Sequence, residues 1–347
     1  MDSQEEDYQI NQQLKKLLNS REEANIDLAF QIIKGRGVSQ DLYEPLTQFI
    51  LKCLHFDILE PLLILKRLEL PKKELRDLPQ NLVKLHQLEE LNLYSNQLKD
   101  FPEVVLELTN LSVLSLSQNP LRKLPDHIRV LSLLRHLHCN RTQIEELPEG
   151  FFELQNLEVA NMHSNQIRIL PAALAKLENL EYLELGNNKL TALPVEIGFL
   201  KKLKKLDLEN NNIQSIPAEI GQLENLRNLN LLRNRLKALP DEVVNLRMLQ
   251  TLNLENNQVR KLPESIDKLQ NLTVLRVNGN QISELPPGIG NLPKLQEINL
   301  FRNQLMTIPD EMAQLPNLRK LNVMSNPLSL AERRKIAAIL PNTRIYF

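Results

Sequence analysis

The chain has 347 residues, and its 42 basic and 43 acidic side chains give a formal net charge of −1. This balance argues against nucleic-acid binding or attraction to a membrane surface, because both need a sustained basic face. Hydrophobic residues make up 42% of the chain but aromatic residues only 4%, so leucine has to supply most of the core.

The cysteines and the apolar segments indicate a compartment. Cys53 and Cys139 are far apart in sequence, which favours free thiols in a reducing environment. The first residues, MDSQEEDYQINQQ, are acidic and lack the apolar segment of a signal peptide. Apolar stretches such as Leu62–Leu65 are too short to span a bilayer. We therefore expect a soluble, cytoplasmic protein.

Residues 1–64 carry no repeat and have amphipathic, helical spacing of apolar residues. The pattern predicts helices near Tyr8–Leu18, over about Glu22–Lys34, and from just after Ser39 to about His55. We interpret this segment as a helical N-terminal cap that covers the first coil of a repeat array. A small helical module that binds a partner of its own remains an alternative.

A 23-residue period begins at Leu65. Residues 65–317 hold eleven units, and residues 318–347 hold the last repeat and a C-terminal cap. An asparagine marks each unit after the atypical first one, except where Thr142 replaces it: Asn96, Asn119, Asn165, Asn188, Asn211, Asn234, Asn257, Asn280, Asn303 and Asn326. Columns of this kind predict a solenoid of stacked coils.

The unit Leu180–Lys202 shows what each position does. Leu183 and Leu185 alternate with polar residues, which predicts a short strand with one buried face. The amide of Asn188 is expected to bond the turn backbone of its own coil and of the neighbouring coil. Pro194 suits the first position of a short helical turn on the opposite side of the coil.

The pattern L-P-x-x-I-x-x-L-x-x-L-x-x-L-x-L-x-x-N-x-L, as in Leu193–Ile213, resembles the 23-residue leucine-rich repeats of intracellular Ras-group and Scribble-like proteins. The resemblance implies an α/β repeat solenoid, a right-handed horseshoe with a concave parallel β-sheet, short helices on the convex side and a helical N-terminal cap. It also implies that a protein partner binds on the concave face. A small GTPase, a phosphatase subunit or another signalling protein is compatible with that family context. We expect a monomer without cofactors.

The register assigns the residues of the concave face. Side chains six, four and two positions before each repeat asparagine point outward from the sheet. The predicted partner-binding residues are Tyr94, His136, His138, Asn140, Asn161, His163, Tyr182, Glu184, Asp207, Glu209, Leu232, Arg276, Phe301 and Met324.

Four of these side chains are apolar or aromatic and have no expected role in the core: Tyr94, Leu232, Phe301 and Met324. Such residues on an open sheet are candidate anchors for a partner. Scattered apolar residues are also normal on a protein surface, so both interpretations remain open.

Three of the six histidines, His136, His138 and His163, lie in the units that depart most from the repeat consensus. His138 and His163 are expected to lie diagonally on adjacent strands, within reach of one cation. A metal site needs more ligands, and no acidic residue occupies the third position. The same cluster is also compatible with a hydrogen-bonding or pH-sensitive protein contact, or with a solvated surface.

The charges on the face change sign along the array. Glu184 and Asp207 are expected to face each other on adjacent strands, and Lys205 is placed to relieve their repulsion. A pocket for a lysine or arginine of a partner is the alternative. Arg276 and Arg302 bring the opposite charge to the C-terminal third, so an extended partner would be oriented by charge.

No motif of an enzyme is present: the sequence lacks a phosphate-binding loop, HExxH and CxxC. Glu184, Asp207 and Glu209 imitate an acid–base pair but lie on an open sheet, where no pocket excludes water. The leading hypothesis is a non-enzymatic scaffold for protein–protein interaction, acting in signalling. The alternative is a secreted bacterial effector or regulatory protein with the same fold, which uses its N-terminal helices for targeting.

Overall fold

The computed structural model describes residues 3–347. The N-terminal segment folds into four helices: α1 Ser3–Leu18, α2 Glu23–Arg36, α3 Tyr43–Thr47 and α4 Ile50–Phe56. The first two helices confirm the predicted ones to within a few residues. The predicted third helix is wrong as a continuous element, because the backbone leaves helical geometry at Phe49 (φ −116°, ψ 42°). The apolar spacing continues across this break, and for that reason the pattern did not reveal it.

The cap packs onto the repeats through one continuous core. Phe30 of α2 is fully buried, and its ring centroid lies 6.1 Å from that of Phe49 and 5.4 Å from that of Phe56. Leu62 and Leu68 extend the same core from the cap into the first coil. The helices therefore cover the open end of the array, as a cap is expected to do.

Within residues 3–347, thirteen short strands form one parallel sheet in chain order, and each strand pairs with its neighbours in sequence. In β6 the middle residue, Leu183, is buried and the flanking Tyr182 and Glu184 face outward. The strands are β1 Arg67–Glu69, β2 Glu90–Asn92, β3 Val113–Ser115, β4 His136–His138, β5 Val159–Asn161, β6 Tyr182–Glu184, β7 Lys205–Asp207, β8 Asn228–Asn230, β9 Thr251–Asn253, β10 Val274–Arg276, β11 Glu297–Asn299, β12 Lys320–Asn322 and β13 Arg344–Tyr346. This sheet is the concave side of a horseshoe solenoid.

The convex side is built from 3₁₀ turns, one after the proline or serine of each unit. In the unit of β6, Pro194 precedes the turn Val195–Phe199, and Leu200 leaves helical geometry (φ −76°, ψ 64°). The turns span Gln80–Lys84, Glu103–Glu107, Asp126–Val130, Glu149–Glu153, Ala172–Lys176, Val195–Phe199, Ala218–Gln222, Asp241–Asn245, Ile266–Lys268, Pro287–Asn291 and Asp310–Gln314. A further 3₁₀ turn, Gln40–Leu42, precedes α3.

The repeat asparagines form a ladder inside the coil. Nδ2 of Asn188 donates to the carbonyl of Leu185 in its own coil and to that of Met162 in the preceding coil, both at 2.9 Å. Its Oδ1 accepts from the backbone N–H of Ile167 at 3.0 Å. The predicted role of this residue is confirmed. Each asparagine satisfies buried backbone groups that no β-ladder reaches.

The C-terminal end closes the array with helix α5, Leu330–Ile339, and strand β13. Ser329 caps α5 by accepting a hydrogen bond from the backbone N–H of Glu332. After this helix, β13 pairs in parallel with β12 and ends the sheet. No helix within residues 3–347 is long and apolar enough to cross a membrane.

Candidate partner-binding face

The concave face consists of the side chains that the strands and the turn after each strand project away from the core. All fourteen predicted partner-binding residues lie at these positions. Tyr182 and Met324 are 39% and 40% exposed, and the other twelve are half-buried. Tyr94, Leu232 and Phe301 are thus less exposed than the sequence suggested, because side chains of adjacent coils pack beside them.

The last residue of most strands has a structural role that the sequence analysis missed. Oδ1 of Asn161, for example, accepts a hydrogen bond from the backbone N–H of His163 at 3.1 Å, which shapes the turn after β5. Seven residues at this position make the same bond: Asn92, Asn161, Asp207, Asn230, Asn253, Asn299 and Asn322. Among β2 to β12, the exceptions are Ser115, His138, Glu184 and Arg276. At these four positions the side chain does not shape the turn that follows the strand.

The centre of the face carries paired charges. Nζ of Lys205 lies 2.6 Å from Oε1 of Glu184, so Lys205 relieves the repulsion as predicted. Nδ2 of Asn230 donates to Asp207 and to Glu209, each at 3.1 Å. Burial raises the pKa of Asp207, and the charge of Glu209 raises it further. Burial opposes the charge of Lys205, but its hydrogen bond to Glu184 and the surrounding carboxylates raise its pKa overall.

A glycine makes room for a polar contact across three coils. A Cβ on Gly186 would lie 2.7 Å from Nδ1 of His163 and 2.8 Å from Cγ of Glu209. Nδ2 of Asn187 lies 2.9 Å from Nε2 of His163 and 3.3 Å from Oε1 of Glu209. The sequence analysis missed Asn187, whose left-handed backbone (φ 55°) turns its side chain onto the face. The signal that could have revealed Asn187 was its place directly before the repeat asparagine. The residue at this position has a positive φ in nearly every coil.

The histidines of β4 form a separate pair. The ring centroids of His136 and His138 are 6.4 Å apart, and Nε2 of His136 lies 3.8 Å from Oε2 of Glu158. Burial lowers the pKa of His138, and the neighbouring His136 lowers it further. His163 instead contacts Asn187. Within the described residues, no group of three histidine, cysteine, aspartate or glutamate side chains is placed to hold a metal ion.

The C-terminal end of the face combines cations with apolar side chains. Oε1 of Glu297 lies 3.7 Å from Nε of Arg276 and 3.3 Å from Nζ of Lys320. The guanidinium of Arg302 lies 5.8 Å from the centroid of the Phe301 ring. This end of the face can therefore offer both charge and apolar surface to a partner.

Comparisons with known families identify the repeat. The family described as "Leucine-rich repeat region" matches residues 171–231 and 219–342. The family described as "Leucine rich repeat" matches residues 132–190. None of the curated proteins compared with the chain matches it.

Solved structures with the same architecture come from bacteria and plants. A leucine-rich repeat protein of Leptospira interrogans is 28% identical, with a TM-score of 0.53, over 86% of this chain and 98% of that protein. The plant peptide hormone receptor RGFR1, in complex with RGF2, is 29% identical with a TM-score of 0.73 over 82% of this chain. A TDR receptor is 30% identical with a TM-score of 0.71 over 76% of this chain. The chain spans 47% and 48% of the lengths of these two receptors.

Proposed function

The chain belongs to the leucine-rich repeat family, and from this premise we propose that it is a non-enzymatic scaffold that binds a protein partner across its concave face. Leucine-rich repeat folds generally serve protein–protein interaction. The observation that carries the proposal is the set of exceptions at the ends of the strands. Where seven coils place a turn-shaping Asn or Asp, His138, Glu184 and Arg276 make no such bond. None of the three side chains is needed to shape its turn, and Glu184 and Arg276 instead pair with Lys205 and Glu297. All three lie on the concave face, where a partner can contact them.

We propose that the chain acts as a monomer in the cytoplasm. Its proposed partner is a signalling protein such as a small GTPase. The constant 23-residue spacing of the strands from β1 to β12 supports the intracellular subclass. Cys53 and Cys139 are free and buried, which suits a reducing compartment. Burial raises the pKa of the Cys53 thiol to about 12, so this thiol is inert.

The alternative is a secreted bacterial effector or regulatory protein with the same binding face. The similarity to the Leptospira protein over 98% of its length supports the bacterial part of this alternative. Detection of the protein in the culture supernatant of its source organism would favour it over a cytoplasmic scaffold. The concave face would bind a partner in either case.

The proposal is tested by affinity capture from a lysate with the intact chain and with the double variant His138→Ala/Phe301→Ala. We expect the double variant to lose the captured partner, because both side chains lie on the concave face. A matched control, His127→Ala/Phe199→Ala, removes the same residue types from exposed convex positions and should keep the partner. Identical partners for all three proteins would refute the assignment of the concave face.

A further inference from the structure

Four cations and two apolar side chains gather at the C-terminal end of the concave face. We call this set the basic patch: Arg276, Phe301, Arg302, Lys320, Met324 and Arg344. Glu297 is the one carboxylate that pairs with it in the described part of the chain, and Arg276 and Lys320 share that carboxylate. Within residues 3–347, Arg302 and Arg344 form no ion pair. The patch therefore carries an uncompensated positive charge.

The two unpaired arginines lie beside aromatic rings. The guanidinium of Arg302 lies 5.8 Å from the centroid of Phe301, and that of Arg344 lies 5.0 Å from the centroid of Tyr346. A guanidinium held near a ring loses less conformational freedom on binding, and its N–H groups still match a carboxylate with two parallel hydrogen bonds. These arginines are arranged to bind carboxylates.

The apolar members of the patch lie on adjacent coils. Phe301 and Met324 occupy equivalent positions after β11 and β12, and the backbone N–H of Arg302 donates to the carbonyl of Met324 at 3.0 Å. Met324 is 40% exposed. Aromatic and methionine side chains that are surrounded by cations favour a ligand with an apolar side chain between acidic ones.

The neighbouring part of the face restricts the ligand further. Four carboxylates, which we call the acidic centre, lie along the coils of β6 to β9: Glu184, Asp207, Glu209 and Glu255. Among the residues that the structure describes, Lys205 forms an ion pair with Glu184 alone. A polyanion such as a nucleic acid would meet these carboxylates as it followed the arc, whereas a peptide can change its charge along its length.

We infer that the basic patch binds an acidic peptide segment with an apolar residue, and that a basic residue of the same peptide lies over the acidic centre. This inference rests on the proposed binding of a protein partner at the concave face. β7 and β10 are three strand spacings apart, about 14 Å at about 4.8 Å per strand. β12 is five strand spacings from β7, about 24 Å. An extended peptide rises about 3.3 Å per residue, so the basic residue is about four to seven positions from the acidic ones.

The test is a selection of random dodecapeptides displayed on phage against the full chain. We expect the enriched peptides to combine aspartate or glutamate with an apolar residue, and to carry lysine or arginine about four to seven positions away. The variant Arg276→Gln/Arg302→Gln should bind an enriched synthetic peptide about tenfold more weakly or worse, measured by fluorescence anisotropy. The control Arg168→Gln/Arg260→Gln removes two exposed arginines outside the face and should bind it unchanged. Thermal unfolding of both variants, followed by circular dichroism, checks that they are folded.

Three results would overturn the inference: no enrichment of acidic residues, an equal loss of affinity in the control variant, or a single-stranded oligothymidine bound as tightly as the enriched peptide. Enriched peptides without acidic residues, whose binding depends on His138 and Phe301, would overturn the inference but leave the proposed function intact. If no peptide and no protein bound the concave face, both would fail together.

Discussion

At the scale of single residues, the array depends on three hydrogen bonds that all the repeat asparagines share, such as those of Asn188 to Ile167, Met162 and Leu185. Thr142 interrupts this ladder. Its hydroxyl lies 3.1 Å from the carbonyl of Cys139 and 2.5 Å from Oδ1 of Asn165, but makes neither of the two bonds that reach into the preceding coil. In a regular coil these bonds would join position 142 to the carbonyl of Leu116 and the N–H of Leu121.

We predict that Thr142→Asn stabilises the protein by about 1–2 kcal/mol, because it restores two hydrogen bonds to buried backbone groups. Urea unfolding followed by circular dichroism measures the change. Thr142→Val is the matched control: it removes the hydroxyl without supplying an amide and should lower the free energy of unfolding. If Thr142→Asn is destabilised, this coil has adapted its backbone to the shorter side chain.

The sequence predicted the ladder because asparagine recurs in every unit after the first, with Thr142 as the one exception. It did not predict the second column, in which Asn161 and its equivalents bond the backbone two residues ahead. Those residues looked like free surface, since asparagine is common both on open sheets and in turns. Nor did it place Asn187 on the face, because an alternating strand pattern does not show where the backbone turns left-handed.

Asp207 is a residue whose charge costs stability. Its pKa is raised by burial and by Glu209, so the folded state binds its proton more tightly than the unfolded state, whose pKa is near 3.8. The destabilising effect is therefore complete above the raised pKa and disappears as the pH falls below 3.8. The equivalent positions at the ends of β5 and β8 hold Asn161 and Asn230, and both side chains accept the turn-shaping hydrogen bond.

We predict that Asp207→Asn raises the free energy of unfolding at pH 7 by up to about 1 kcal/mol, the usual size of a cross-strand charge effect. The gain should shrink as the pH is lowered from 7 towards 4. Urea unfolding of both proteins at several pH values measures it. A gain that is constant with pH would mean that the effect comes from packing instead of from the charge.

At the scale of elements, α5 is tied to the preceding coil by two side chains, Glu332 and Lys335. Oε1 of Glu332 accepts from the backbone N–H of Ile308 at 3.0 Å, and this side chain is only 11% exposed. The N–H of Glu332 donates in turn to Oγ of Ser329 at 3.1 Å. The helix therefore closes the last coil by satisfying the N–H of Ile308, a donor that the asparagine ladder does not reach, since Asn326 accepts from Leu305 instead.

We predict that Glu332→Ala destabilises the protein by about 1–3 kcal/mol, because it leaves the Ile308 N–H without its acceptor. Hydrogen exchange at the Ile308 amide should become faster, and the urea midpoint should fall. Arg334→Ala removes a long exposed side chain from the same helix and should change neither measurement. Unchanged exchange at Ile308 in Glu332→Ala would show that another group protects this amide.

The elements differ in how far the sequence predicts them. The strands follow from columns that repeat many times, so an error in one unit is corrected by the others. The cap helices occur once, and the interruption at Phe49 lies inside an apolar pattern that stays helical. The sequence also predicts helical turns on the convex side without distinguishing 3₁₀ from α geometry, since a five-residue turn such as Val195–Phe199 is too short to show a period.

At the scale of the whole molecule, the solenoid turns positions in sequence into distances along the face. Each unit adds one strand, so the distance between the acidic centre and the basic patch is set by the number of coils between them. Deleting residues 241–263 joins Pro240 to Glu264, keeps every repeat column aligned and removes β9 together with Glu255, so that the acidic centre keeps Glu184, Asp207 and Glu209. The two charged regions then move closer by one strand spacing, about 5 Å.

We predict that this shortened protein still folds, because each coil contacts only its neighbours. It should bind the peptide enriched by the intact chain more weakly, and a peptide with one or two fewer residues between its basic and acidic groups should regain affinity. Deleting residues 103–125 is the matched control: it joins Pro102 to Asp126 and removes β3, outside the two charged regions. This control should keep the original preference for peptide length. If both deletions shift that preference equally, or neither shifts it, the partner does not span the acidic centre and the basic patch.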